Sequence, residues 1–491
     1  VLSALPEEIG GSPRELVIAD YHLRHAPPEV AQAHLLALAR GDDAQVAARA
    51  ASLLARYHVQ RGRAADAVAV ADEFLARYPD DAGLREVRAL ARLTVGVEPD
   101  ASSESLEELA RLAAERDPNS TFALLTAAMV AHARQETTAA AYTARLEALV
   151  VREPTFLPTR AALVQTLLAQ GRVSDAAAAA GRASDTVPQS AEAAALAART
   201  QAQAAQYPQA QVYIARWKAL LRTPAVEPDL LAAGIALAQG QPQAARVALT
   251  GWLDSLVSQA RETQANRPII AAVLALDGQV PAAQALFPGQ MLAREDLPDY
   301  FTAAQYIVPS SVDTASAWLQ AGGPRLEAIA DRLALAAALL DLGSNRDHTP
   351  SLRAAVQFLE SIDPEATDAA DATSMLASAR ALLKDTTEAI AGYRRALARN
   401  PEDLLALNNL AMLLSRSPDT AQEAVTHARS ALSLAERLQA PPEVLATILD
   451  TCGVAMLAAG DAPAALASFR RGLELSPSSP GCQVGVVEAL L

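Results

Sequence analysis

The sequence predicts an all-α protein, an α-solenoid of antiparallel helix hairpins stacked side by side. Three observations predict it. Hydrophobic residues make up 51% of the 491 positions, yet only 4% are aromatic, so much of the apolar content is alanine. Alanine is the strongest helix former and lets helix axes approach closely. Glycine and alanine also return at matched offsets along the chain, and prolines close many of the segments they mark. A fixed period of this kind is the signature of a repeat architecture.

The clearest segment is "ILDTCGVAMLAAGDAPAALASFRRGLELSP", Ile448 to Pro477. On a frame of about 34 residues with Pro477 at position 32, Leu449 falls at 4, Cys452 at 7, Gly453 at 8 and Met456 at 11. Ala465 then falls at 20, Phe469 at 24 and Gly472 at 27. Large residues at 4, 7, 11 and 24 with small ones at 8, 20 and 27 resemble the tetratricopeptide repeat. The resemblance implies two antiparallel helices per repeat, with axes about 8–10 Å apart. Small residues then mark helix contact points, Gly460-Asp461 joins the two helices, and Pro477 ends the second.

The frame recurs along the chain. Residues 1–50 are expected to form an N-terminal helical cap or degenerate repeat, which covers the apolar face an array leaves at its end. Within them "LPEEIGGSP" reads as loop and "ELVIADYHLRHAPP" as one helix stopped by two prolines. Residues 51–285 read as an array. Segment 51–79 supplies Leu54, Ala55, Gly62, Ala67, Phe74 and Pro79, and segment 161–188 supplies Leu167, Gly171, Ala176, Ala183 and Pro188. Gly240 with Ala245, and Gly278 with Ala283, mark two more repeats, while 84–118, 121–154 and 191–224 fit loosely.

Residues 286–345 diverge. Phe287, Tyr300, Phe301, Tyr306 and Trp318 gather in a chain otherwise poor in aromatics. Two readings stand: a repeat using bulk where others use alanine, or a junction of sub-arrays whose aromatics face a ligand. "DLGSNRDHTPSL" (341–352) reads as a lengthened turn. Residues 346–491 form a C-terminal array, with Leu376, Ala377, Ala389, Tyr393, Ala396 and Pro401 in one repeat. The next has Leu407, Leu410, Ala411 and Leu414, then Ala424 after a longer turn. About 10–13 repeats are expected on the frame's length.

The formal net charge of −15 disfavours nucleic acid or an anionic membrane as the main partner, because both reward clustered positive charge. No apolar run approaches the roughly 18 residues of a membrane span; "IIAAVLAL" stops at Asp277-Gly278. The chain opens on Val1 and closes within "VGVVEALL", so both ends read as cut, with room for a signal or an anchor outside them. The compartment, bacterial cytoplasm or periplasm, is left open. Cys452 and Cys482 have neither CxxC spacing nor histidine companions, which supports neither a disulfide framework nor a zinc site. His22 and His25 share a helical face without a third ligand. Phosphate-loop, nucleophile-elbow and H-E-x-x-H motifs are absent. The carboxylates of "PDDAG" and "RNPED" sit where helices need caps. No catalytic, cofactor or metal site is expected.

The resemblance implies a groove lined by successive first helices of a right-handed superhelix. In its best-known mode that groove grips a peptide carboxylate with cations and asparagines. Here Asn408 and Asn409 occupy positions 5 and 6 and Met412 position 9, while the following repeat has Thr447 and Thr451. The cations are missing, so a carboxylate clamp is not expected. Asn408, Asn409 and Met412 are the candidate partner-binding residues, with Asn409 bonding nearby backbone as the plain alternative. The expected function is a non-enzymatic scaffold holding a partner protein or extended peptide, one with basic patches given the acidic surface. Alternatives are a domain of a periplasmic or envelope assembly, such as exopolysaccharide export, and a substrate-recruiting domain of an enzyme.

Overall fold

The computed structural model describes residues 8–9, 12–25, 28–60, 63–94, 106–221, 223–263, 266–287, 289–362 and 369–491. The chain divides into two compact units, Val1–Ile235 and Ala236–Leu491. The first opens with a two-residue antiparallel pair, β1 (Glu8–Ile9) and β2 (Ser12–Pro13), in register Glu8 with Pro13. Its helices are α1 (Arg14–His25), α2 (Pro28–Ala39), α3 (Ala44–Gln60), α4 (Ala64–Leu75), α5 (Ala82–Thr94), α6 (Leu106–Arg116), α7 (Thr121–Ala133) and α8 (Ala139–Arg152). They continue with α9 (Leu157–Ala169), α10 (Val173–Thr186), α11 (Ala191–Gln203) and α12 (Tyr207–Leu220). Helix α13 (Glu227–Ala238) runs across the division.

The second unit contains α14 (Pro242–Ala248), α15 (Leu253–Thr263), α16 (Arg267–Leu276), α17 (Val280–Gln284), α18 (Leu297–Ile307), α19 (Val312–Gly322) and α20 (Ile329–Asn345). After them come α21 (Thr349–Glu360), α22 (Ala369–Leu382), α23 (Thr386–Arg399), α24 (Leu404–Leu414), α25 (Ala421–Arg437), α26 (Pro442–Ala458), α27 (Ala462–Leu475) and α28 (Pro480–Leu490). Consecutive helices pack as hairpins, and first helices also touch the first helix of the next hairpin, as α24 touches α26 and α26 touches α28. This is the expected all-α, solenoid-type array. Among the described residues only the strand pair Glu8–Ile9 with Ser12–Pro13 departs from helix and loop, where the sequence reads as loop. In the first unit α5 also packs against α9, beyond α6–α8, in the stretch where the frame fits loosely.

Small residues do what close packing requires. A Cβ at Gly453 in α26 would lie 2.4 Å from the ring of Phe469 in α27, and one at Gly485 in α28 would lie 2.2 Å from the same ring. Phe469 is fully buried between these two glycines. A Cβ at Gly472 would meet Cys482 Sγ at 2.5 Å. Gly460 is different, and here the contact-point reading is corrected: nothing lies within 4 Å of its would-be Cβ, and its φ is +82°. Glycine is needed there because the chain leaves α26 through a left-handed residue. Gly460 N–H donates to Leu457 O and Asp461 N–H to Met456 O, satisfying carbonyls that the helix end leaves free.

Helix starts follow the capping logic of the sequence. Asp81 Oδ1 accepts from Leu84 N–H at 2.8 Å and Asp403 Oδ1 from Ala406 N–H at 2.9 Å. The stretch 341–352 is corrected from a long turn to mostly helix. Helix α20 continues to Asn345 because Gly343, where a Cβ would sit 2.2 Å from Leu352, admits α21 so closely that only three residues join the two.

In 286–325 the bulk forms core. Phe287, Tyr300 and Trp318 are buried, with ring centroids 5.3, 5.8 and 4.5 Å apart pairwise. Trp318 Nε1–H donates to Tyr300 O at 3.0 Å, and Tyr300 Oη donates to Trp318 O, so both polar tips are satisfied inside the core. Burial pushes the Tyr300 hydroxyl up to about 12. Beside them Arg267 and Asp296 form a buried pair at 2.5 Å, and Arg267 Nε–H donates to Ala260 O at 2.8 Å.

Candidate functional site

In α24 the residues at frame positions 4, 7, 8 and 11 (Leu407, Leu410, Ala411 and Leu414) are buried. That packing leaves Asn408, Asn409 and Met412 half-buried on the remaining face. Asn409 Nδ2–H donates to Tyr393 Oη of α23 at 3.1 Å, and Tyr393 Oη lies 2.9 Å from Ser378 Oγ of α22. The amide therefore ties three helices together through side chains, where the plain alternative expected backbone. Burial holds the Tyr393 hydroxyl above its ordinary value, so it stays protonated and can donate within this network. Asn408 Nδ2–H reaches Asn409 Oδ1 at 3.4 Å, while Asn408 Oδ1 is buried without a donor. One repeat further on, Thr447 and Thr451 bond the carbonyls of Glu443 and Thr447 within α26.

A second surface was not singled out from the sequence. A cleft of about 500 Å³ is lined by Val164, Gln165 and Leu168 of α9 and by Ala195, Leu196 and Arg199 of α11. Trp217, Leu221 and Glu227 close it. It lies across two successive first helices, where a repeat array places its groove. The Arg199 guanidinium sits 5.1 Å from the Trp217 ring centroid. Arg199 is exposed while Trp217 is buried, so the cation covers an apolar floor. The signal was Trp217 itself, one of three tryptophans in the chain, inside a segment that matched the frame loosely.

Among the described residues no group of three or more His, Cys, Asp or Glu is placed to hold a metal ion. His22 Nδ1 faces His34 Nδ1 of α2 at 3.1 Å, and the side chain of His25 lies outside the described residues. Cys452 and Cys482 are buried free thiols, and burial pushes Cys452 up to about 11. Among the described residues no helix is long and apolar enough to cross a membrane.

In the repeat Ile448–Pro477, Gly453 receives Phe469 and Gly472 receives Cys482. In this packing the hairpins are similar to tetratricopeptide-type repeats. No family model matches the chain. Over 97 residues it is 38% identical to cellulose synthase operon protein C of Pseudomonas fluorescens (strain SBW25). That match covers 19% of this chain and 7% of the length of that protein. Among solved structures, the array is similar to the APC/C hetero-tetramer Cut9–Hcn1, at 12% identity and a TM-score of 0.32, covering 97% of this chain and 94% of that one. It is similar also to the C-terminal part of a TPR repeat-containing protein from Cytophaga hutchinsonii, at 14% identity and TM-score 0.27, covering 66% and 98%. Yeast Tom70 follows at 11% identity and TM-score 0.29, covering 75% and 88%.

Proposed function

We propose that this chain is a non-enzymatic scaffold that binds a partner protein, as an extended segment, along the exposed faces of its first helices. The observation that carries the reading is the cleft of about 500 Å³ across α9 and α11, apolar at its floor and rimmed by Arg199 and Glu227. Asn408, Asn409 and Met412, half-buried on α24, offer a second stretch for the partner. With a net charge of −15, a partner with basic patches is favoured, and its affinity falls as salt rises.

The test is capture of partners from a cell extract with the 491-residue chain and with two variants. Arg199→Ala combined with Leu196→Asp should abolish or weaken capture, and the triple change Asn408→Ala, Asn409→Ala, Met412→Ala should do so in part. Undiminished capture by both variants, or tighter capture at high salt, rejects the reading. A second reading is favoured by the match to cellulose synthase operon protein C: the array serves an envelope assembly for exopolysaccharide export. Crosslinking in a cellulose-secreting bacterium should then trap components of that machinery, and cytosolic proteins alone would refute it.

A further inference from the structure

The second unit holds another cleft, away from the first-helix face. It opens between the second helices α19 and α21, above α20, and has a volume of about 470 Å³. Its floor is Leu326, Leu335 and Leu339, all buried, and Phe358 forms a wall. The wall is brought in by glycine: a Cβ at Gly323, just after α19, would lie 2.7 Å from the Phe358 ring.

A single cation stands at this cleft. The Arg332 guanidinium lies 5.2 Å from the Phe358 ring centroid, and Nη2–H donates to Ser361 Oγ at 2.7 Å. Those contacts fix its plane. Its Nε–H is buried with no acceptor, Nη1 bonds no described residue, and no described carboxylate lies within ion-pair distance. The neighbouring arginines differ: Arg380 pairs with Glu360 and Glu388, and Arg325 donates to Gln284 and to backbone carbonyls. A guanidinium oriented beside an apolar cleft, with no anion among the described residues as its partner, is complementary to a carboxylate carrying an apolar tail.

We infer that this cleft binds a small amphiphilic carboxylate, its head accepting from Arg332 and its chain lying on Leu335, Leu339 and Phe358. The site is independent of the scaffold reading, since none of its residues lies on the first-helix surfaces described above. The experiment is calorimetric titration of the 491-residue protein with decanoate, below its micelle concentration, and with decanamide as the neutral counterpart. Decanoate should bind at one site per chain, and decanamide about tenfold or more weaker, because hydrogen bonds to charged groups exceed neutral ones by that order. Arg332→Met should weaken decanoate by a similar factor and leave decanamide unchanged. Ala354→Phe, placed in the lining, should abolish binding of both. Thermal melts by circular dichroism establish that each variant is folded, and Arg332→Met decides the matter if Ala354→Phe is not. No decanoate binding, equal affinities for the two ligands, or decanoate binding unaffected by Arg332→Met would each overturn the inference.

Discussion

Ala205 leaves α11 with φ +56°, in the left-handed region that Gly460 occupies after α26. The hydrogen bonding is the same: Ala205 N–H to Ala202 O and Gln206 N–H to Gln201 O. A β-carbon in that conformation costs about 1–2 kcal/mol, and glycine returns part of the gain as unfolded-chain entropy. Ala205→Gly is therefore expected to stabilise the protein by about 0.5–1 kcal/mol, read as a higher denaturation midpoint. Asp296 predicts the opposite sign. Removing one member of a buried ion pair strands the other, at about 3–5 kcal/mol. Asp296→Ala should lose that much in chemical denaturation, whereas Arg267→Met with Asp296→Leu should recover most of it.

Asp450 carries a pH prediction. It is half-buried on α26, where a Cβ at Gly481 would press against its carboxylate. Burial, and then the charge of Glu488, raise its pKa above the ordinary 3.8. The folded chain thus holds this proton to higher pH than the unfolded chain. Its contribution is most favourable below about the ordinary value and declines as pH rises through the folded value. Asp450→Asn should flatten that decline, measured as denaturation midpoints from acid to neutral pH.

At the scale of elements, the frame read from Leu449 to Pro477 was legible because each landmark residue has one packing duty, and α26 and α27 show those duties in contact. Leu407, Leu410, Ala411 and Leu414 were legible for the same reason. Two things were not. Gly343 and Gly460 are the same letter, yet one admits a neighbouring helix and the other bends the chain, and only the surroundings tell them apart. The α9–α11 cleft needed residues far apart in the chain, Gln165, Arg199 and Glu227, to meet on one surface, which no local pattern reveals. Asn409 was found by position, but its bond to Tyr393 depends on how α23 crosses α24. Phe469 makes the element-scale prediction. Truncating a buried phenylalanine costs about 3–5 kcal/mol, and this one touches both α26 and α28. Phe469→Ala should lower protection of α26–α28 amides in hydrogen exchange while leaving α9–α12 unchanged, as expected when stability is summed over neighbouring repeats.

At the scale of the whole molecule, charge repeats with the period of the array in the last repeats. Arg437 reaches Glu402 at 2.6 Å and Arg471 reaches Glu436 at 2.5 Å, both 35 residues back. These pairs are largely exposed and each contributes about 0–1 kcal/mol, so they set register more than stability. With the basic partner proposed above, the net charge of −15 acts on association instead. Raising salt should therefore change the melting temperature little while slowing partner association markedly, a contrast that thermal melts and stopped-flow binding measure on one sample.

The aromatic ring wedged between Gly453 and Gly485 sets the order in which this end of the chain comes apart. Peeling α28 away removes one wall of its slot but leaves the other in place. Digestion that enters at α28 thus releases that helix with little resistance. It meets its first steep obstacle at Phe469, so fragments ending shortly after Leu475 should accumulate during digestion.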